Sequence, residues 1–159
     1  MDEQKLAREL PEAMVLRLAE AKARAVEIDS AQLVLGADTA VVLGEDIFGK
    51  PQDREEALEM LDRLSGRTHR VLTGVALYSA QGLRTALSVT EVRFREIGPD
   101  EALAYWQSGE PGDKAGAYAI QGRGGVFVEA ISGSYSGVVG LPVFETVQLL
   151  REAGLRVLG

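Results

Sequence analysis

Residues 32–39 read QLVLGADT, a short apolar run that ends directly on Asp38 and Thr39. The apolar part, residues 32–37, predicts a buried strand, and residues 39–43 predict a second extended piece. A carboxylate at the end of a buried strand lies where α/β sheets place their ligands. The alternative is a turn aspartate that caps the local backbone.

The segments on either side of this strand alternate between helical and extended patterns, without repeats or a linker. The predicted helices cover residues 11–28, 53–64, 99–107 and 141–153. Further strands are predicted over residues 69–79, 83–97, 126–131 and 155–158. This alternation predicts the α/β class with a mixed sheet.

The strand predicted over residues 83–97 changes phase along its length. Leu87 and Val89 share one face of the pattern, whereas Val92 and Phe94 share the other. Because side chains alternate strictly along a regular strand, the two halves do not fit one face. A bulge near residues 90–91 would reconcile them.

Composition limits the possible functions. The chain has 159 residues, of which 46% are hydrophobic and 26% charged, and these values suit one globular domain. A net charge of -7 argues against a general nucleic-acid binder. No apolar run reaches the roughly 18 residues of a membrane span, and the charged first residues show no signal peptide. A cytoplasmic location is therefore expected.

The same composition limits the metal chemistry. The sequence has no cysteine and a single histidine, His69, so thiolate sites and multi-histidine zinc sites are excluded. A metal would be held mainly by carboxylates and by oxygens of the ligand, which favours Mg²⁺ or Mn²⁺. We expect His69 itself to be a surface or packing residue.

Two lysines lie in settings that suit phosphate binding. Lys50 stands between a glycine and a proline in FGKP, a rigid loop that would aim its ammonium group at a phosphate. The alternative is a solvated loop lysine. Lys22 lies one helical turn after Leu18, at the border of an apolar helix face. A lysine there can also simply extend its charge into solvent.

Residues 113–125 read DKAGAYAIQGRGG and place charged and amide side chains among glycines. The glycines from 122 onward would let backbone N–H groups approach an anion, or they would form a tight hairpin. The amide of Gln121 is able to read the edge of a base. The alternative is an ordinary turn glutamine.

Several segments, in order, carry a family resemblance: GADT, GKP, LSGRTHRVLTGVAL, SGEPGDKAGAYAIQGRGG and VVGLP. Together they resemble the Maf family of nucleotide pyrophosphatases, from about Asp2 to the C-terminus. The resemblance implies a single Maf/ITPase-like domain over residues 1–159, with a mixed twisted sheet, flanking helices and a central cleft between two lobes. It also implies hydrolysis of a nucleoside triphosphate to the monophosphate and pyrophosphate, with Mg²⁺ or Mn²⁺ as cofactor.

The resemblance also assigns site residues. Asp38 of GADT matches the family's catalytic aspartate, and with Glu3 it is expected to hold the metal. Lys22 and Lys50, again with Glu3, match polar positions that line the phosphate end of the substrate. A bound cation and the two lysines would offset the negative charge around the phosphorus that water attacks.

Two further residues match positions that help to choose the base, namely Thr39 and Gln121. The segment DKAGAYAIQG resembles the branch that acts on dTTP and UTP, whereas the branch acting on 7-methyl-GTP has a glutamate in place of Gln121. The Gln121 amide offers a donor and an acceptor, which suits the imide edge of a pyrimidine. The implied partner is a nucleoside triphosphate, without nucleic acid or membrane, and a homodimer is left open.

Two features depart from the family pattern. Members begin with an apolar strand and a loop of the type S-x-S-P-R-R, whereas this sequence starts at MDEQ, just before Glu3. The expectation is therefore that this phosphate loop is missing. Gly137 stands where the family usually has asparagine. The alternative to an active enzyme is a catalytically impaired nucleotide-binding or regulatory protein linked to septum formation.

Overall fold

The structure, a computed structural model, describes residues 5–159. Its helices are α1 (Pro11–Arg24), α2 (Arg54–Leu64), α3 (Pro99–Gln107), α4 (Tyr135–Val139) and α5 (Val143–Glu152). Its strands are β1 (Leu33–Leu43), β2 (Asp46–Phe48), β3 (Thr68–Ser79), β4 (Gly82–Phe94) and β5 (Val128–Ser132). The predicted α/β class, with a sheet and flanking helices, is confirmed.

The strands form one five-stranded sheet in the order β2-β1-β3-β4-β5. β1 pairs antiparallel with β2, with Val41 opposite Phe48, and β4 pairs antiparallel with β5, with Val92 opposite Ile131. By its contacts the chain divides into two compact units. The first contains residues up to 39, residues 72–89 and residues 136–159, and the second contains residues 40–71 and 90–135.

In the first unit, α1 lies unusually close to the strands beneath it. A Cβ atom built on Gly36 of β1 would lie 2.7 Å from the backbone nitrogen of Ala23 and would collide with the Ala19 carbonyl oxygen. A Cβ on Gly74 of β3 would lie 2.6 Å from the carbonyl oxygen of Val15. Both strands therefore need glycine where the helix backbone crosses them.

In the second unit, an aromatic cluster surrounds His69. This histidine is 1% exposed, and its Nε2 lies 2.7 Å from the Tyr118 hydroxyl. Its ring and the ring of Phe94 pack edge to face, with the ring centroids 4.9 Å apart. Burial lowers the pKa of His69 to about 4. Of the two expected roles, surface or packing, the structure shows packing, since His69 is neutral at pH 7 and enclosed by side chains.

The strand around Asp38 is longer and less buried than the sequence predicts. β1 runs without a break over residues 33–43, so the two predicted extended pieces are one strand and Asp38 lies inside it. Leu33 and Leu35 are 36% and 39% exposed, so the prediction of a buried run was wrong. Apolar character alone does not report which side of a strand is covered.

The predicted phase change in β4 is also wrong. Alternate positions from Ser88 through Thr90 and Val92 to Phe94 are buried without interruption. The irregularity in the pairing with β5 lies between Arg93 and Phe94, three residues beyond the predicted bulge. The pattern was misread because polar Ser88 and Thr90 occupy buried positions. The Thr90 hydroxyl is satisfied there by the Ser134 backbone, whose N–H donates to it at 2.9 Å.

One helix end and one predicted strand differ from the sequence prediction. α1 ends at Arg24, four residues before the predicted boundary. After α5 the predicted strand over residues 155–158 does not form. Gly154 adopts a φ of 93°, and the Leu155 N–H donates to the Leu150 carbonyl oxygen at 3.0 Å. This closure of the helix end uses the backbone groups that would have started a strand.

Candidate active site

The centre of the candidate site is an ion pair between α1 and β1. The Nζ atom of Lys22 donates to Oδ1 of Asp38 at 2.8 Å. The Asp38 side chain is only 9% exposed, whereas Lys22 is 33% exposed. The structure thus brings together two of the predicted site residues, and Asp38 has a charged partner inside a strand, whereas the prediction placed it at a strand end and the alternative placed it in a turn.

The local sequence explains how this pair forms. Lys22 lies in the last turn of α1, on the turn that follows Ala19. Gly36 stands two residues before Asp38 on β1, so both residues belong to the same face of the strand. Because Gly36 has no side chain, α1 approaches that face closely enough for Lys22 to reach Asp38.

Thr39 lies on the opposite face of β1 and belongs to a chain of hydroxyl groups. Its Oγ1 lies 2.9 Å from Oγ1 of Thr73 on β3. Thr73 in turn donates to the carbonyl oxygen of Gly137 at 2.7 Å. Thr73 is fully buried and Thr39 is half-buried. Thr73 therefore links the Thr39 side chain to the backbone of Gly137, the position that departs from the family pattern.

Lys50 lies in the second unit, exposed in the loop that follows β2. The carbonyl oxygen of the preceding Gly49 accepts a hydrogen bond from the Gly116 N–H at 3.1 Å. A Cβ on Gly116 would lie 2.9 Å from the Val41 side chain, so position 116 requires glycine. The loop that carries Lys50 is therefore tied to the segment over residues 113–125.

Gln121 lies exposed in a turn of that segment, and Glu110 holds the turn in place. One oxygen of the Glu110 carboxylate accepts from the Arg123 N–H at 2.9 Å, and the other accepts from the Gly124 N–H at 3.0 Å. A Cβ on Gly122 would collide with the same carboxylate. The glycine-rich turn therefore does surround an anion, but the anion is the protein's own Glu110.

Tyr105 completes this turn. Its hydroxyl donates to Glu110 and accepts from the Ala119 N–H at 3.0 Å. Burial tends to raise the pKa of the Glu110 carboxyl, but hydrogen bonds from Tyr105 and from the turn outweigh it and hold that pKa below its usual value. Burial, followed by the Glu110 contact, raises the pKa of Tyr105. Glu110 therefore stays ionised and bound to the turn at neutral pH.

The remaining site prediction is that carboxylates hold a metal ion. Glu3 lies outside the described residues. Within residues 5–159, no group of three or more histidine, cysteine or carboxylate side chains could hold a metal ion. Mg²⁺ usually keeps several waters and binds one or two carboxylates together with substrate phosphates. The nearly buried Asp38 carboxylate fits a cation of that kind, which arrives with its substrate, and does not fit a site made of protein ligands alone.

Sequence reasoning missed three residues that organise these two regions: Thr73, Glu110 and Tyr105. Thr73 is a hydroxyl in the otherwise apolar run VLTGVAL, which was a signal that it needs a buried partner. Glu110 and Tyr105 act on backbone groups 13 or 14 residues away in the sequence. Short-range patterns carry no sign of such contacts.

Known proteins resemble this chain over most of its length. The family model described as Maf-like protein matches residues 1–153. Proteins named dTTP/UTP pyrophosphatase from Hahella chejuensis, Methylococcus capsulatus and Alkalilimnicola ehrlichii are 55%, 62% and 57% identical to this chain. The alignments cover 90%, 77% and 91% of this chain and 73%, 60% and 74% of the respective relatives. Among residues 5–159, no helix has the length and apolar character that a membrane span requires.

Proposed function

This chain belongs to the Maf family, and we propose on that premise that it hydrolyses dTTP and UTP to the nucleoside monophosphate and pyrophosphate. The observation that carries the proposal is that relatives more than half identical to this chain are named dTTP/UTP pyrophosphatase. The ion pair of Asp38 and Lys22 adds chemical support, because both groups suit attack by water on a phosphate. A catalytically impaired regulatory protein is the less favoured reading.

The reaction adds one water across the bond between the α and β phosphates. An oxygen of water bonds to the α phosphorus, the bridging bond breaks, and pyrophosphate leaves with the β and γ phosphates. We assign Asp38 the task of orienting the water and taking its proton, or of holding the metal. Lys22, fixed against Asp38, would stabilise the charge that develops on the phosphate oxygens. Lys50 keeps its predicted role as a phosphate ligand.

A divalent cation completes the proposal. Asp38 would hold it, together with Glu3, and Mg²⁺ or Mn²⁺ would neutralise part of the triphosphate charge when bound. Thr39 and Gln121 would choose the base. We further propose that the protein works in the cytoplasm as a single Maf-like domain, without a nucleic-acid or membrane partner; a homodimer stays a prediction.

The experiment that tests the function is product analysis. The purified protein is incubated with dTTP, UTP, dCTP and dGTP, each with Mg²⁺ or Mn²⁺, and the products are separated. We expect dTMP and UMP with equimolar pyrophosphate. Release of orthophosphate and a nucleoside diphosphate would contradict the proposal, and binding of dTTP without any turnover would favour the regulatory alternative.

Exchange of Gln121 for glutamate tests the choice of base. Gln121→Glu removes the amide donor and adds a negative charge, so kcat/KM for dTTP and UTP is expected to fall about ten- to hundredfold. The side chain is exposed, so the melting temperature should not change. Arg123→Gln, a change two residues along the same turn, serves as control. An unchanged kcat/KM in Gln121→Glu would show that Gln121 does not read the base.

A further inference from the structure

One side of β1 is paired along only part of its length. Within residues 5–159, β1 has β3 on one side and β2 on the other. The pairing with β2 covers Val41, Val42 and Leu43 and ends there, although β1 begins at Leu33. Residues 33–40, the β1 edge, therefore turn a row of backbone N–H and C=O groups away from the sheet. Such a row can pair with another extended chain.

The β1 edge lacks the features that usually prevent such pairing. Residues 33–37 read LVLGA, without a charge or a proline, and the strand is continuous across them. Leu33 and Leu35 lie on the face opposite Gly36 and α1, where they are 36% and 39% exposed. Backbone groups that β2 does not pair are thus combined with apolar side chains that solvent reaches.

More apolar surface lies beside the same face. Thr39 shares that face with Leu35, and a Cβ on Gly140 would lie 3.8 Å from the Thr39 Oγ1 atom. Four large apolar residues near Gly140 in the sequence are between 42% and 69% exposed: Val139, Leu141, Val143 and Phe144. The surroundings of the β1 edge therefore also favour an apolar partner.

We propose that the β1 edge binds the β1 edge of a second copy of this chain, as an antiparallel strand pair with Leu35 on the two-fold axis. The sizes of the side chains determine this register. Leu35 lies opposite its own copy. Val34 lies opposite Gly36, and Leu33 lies opposite Ala37. Each of the last two pairs joins a large side chain to a small one, and the symmetry forms both pairs twice.

A register shifted by one residue fits less well. Centred on Gly36, it would set the apolar Val34 against Asp38, whose carboxylate is only 9% exposed and is bound by Lys22. The Leu35 register keeps Asp38 outside the pairing of LVLGA with LVLGA. It therefore joins the two apolar faces without placing a charge between them.

A second copy also suits this edge better than the remaining residues of the sequence do. Residues 1–4, which lie outside the described residues, reach at most about 14 Å when extended, whereas residues 33–40 span about 26 Å. The LVLGA segment is already extended and apolar on one face. Two copies can therefore pair without a change of backbone conformation, through one surface that is the same on both subunits.

A single introduced cysteine tests the register, because the chain has none of its own. Leu35→Cys would place two thiols opposite each other, at a Cα separation of about 4.5–5.5 Å that suits a disulfide. Leu33→Cys is the matched control, since its position is about equally exposed on the same face but its copy would lie about 13 Å away along the partner strand. We expect mild oxidation to link Leu35→Cys into dimers and to link Leu33→Cys at least roughly tenfold less.

The oligomeric state provides a measurement without oxidation. Sedimentation equilibrium of the original chain should give twice the monomer mass, and its melting temperature should rise with protein concentration. Leu35→Lys sets two ammonium groups against each other at the axis, so its dimer dissociation constant is expected to rise at least about tenfold. Val89→Lys, at a 43% exposed position on β4, should leave that constant unchanged.

Three results would overturn the proposal: a chain that stays monomeric up to its solubility limit, a dimer that Leu35→Lys does not weaken, or equal cross-linking at positions 33 and 35. The first of these would show that something other than a second copy covers the β1 edge. None of the measurements depends on turnover, so an inactive protein would refute the proposed function without affecting this inference.

Discussion

Replacement of Asp38 by asparagine is expected to lower kcat for dTTP and UTP by about 10²–10⁴-fold, the usual contribution of a general base. The amide has the shape of the carboxylate, and its oxygen can still accept the hydrogen bond from Lys22, so the fold should persist. What is lost is the negative charge that takes a proton or holds a cation. Steady-state kinetics with saturating Mg²⁺, together with circular dichroism, measure both parts of this result.

A second aspartate provides the matched control. Asp46 also pairs with a basic side chain, Arg63, but it is 63% exposed at the start of β2. Asp46→Asn makes the same chemical change at a solvated ion pair, which contributes little to stability. We expect it to leave kcat unchanged. If Asp38→Asn keeps more than a tenth of the original activity, Asp38 is not the catalytic residue.

Helices α2 and α3 were the parts of the fold that the sequence predicted best. α3 has the predicted bounds because Pro99 opens it and Gly109, with a φ of 84°, follows its end. α2 begins one residue after its predicted start, at Arg54, because the Asp53 side chain accepts from the Glu56 N–H at 2.8 Å and caps the helix. These signals are local, so they can be read from a few consecutive residues.

The strands were harder because their burial depends on partners far away in the sequence. Asp38 was expected to end a strand, but Lys22 satisfies its charge and the strand continues. Thr90 interrupted the apolar pattern of β4, yet the Ser134 backbone satisfies its hydroxyl in the buried position. In both cases a polar residue looked like a boundary until its distant partner was known.

The residues of the candidate site likewise include some with a local sequence signal and some without one. Motifs indicated Asp38, Lys22 and Thr39, and the structure joins the first two and places the third on the other face of β1. The role of Glu110 could not be predicted from the sequence, because its contacts to Arg123 and Gly124 span 13 and 14 residues. The glycines of the turn were noticed as an anion-binding pattern, but the sequence does not say which anion they bind.

Gly36→Ala is expected to destabilise the protein by about 3 kcal/mol, at the upper end of overpacking effects. The new Cβ would collide with the Ala19 carbonyl oxygen and lie 2.7 Å from the Ala23 nitrogen. Both are backbone atoms of α1, so no side-chain rotation relieves the contact. For a chain of this size that loss corresponds to a melting temperature about 6–12 °C lower.

Activity should fall along with stability, even at temperatures where Gly36→Ala remains folded. The residues of α1 that must move, Ala19 and Ala23, lie one turn before and directly after Lys22, so their displacement lengthens the distance between Lys22 and Asp38. Gly112→Ala is the control, since a Cβ there meets nothing within 4 Å, and we expect its melting temperature to be unchanged within about 2 °C.

Gly74→Ala provides a third comparison, because its Cβ would collide with the backbone of α1 at Val15, two turns before Lys22. It should lower the melting temperature similarly but reduce kcat less than Gly36→Ala. Equal melting temperatures for Gly36→Ala and the original protein would show that the close packing of α1 on β1 does not hold the ion pair in place.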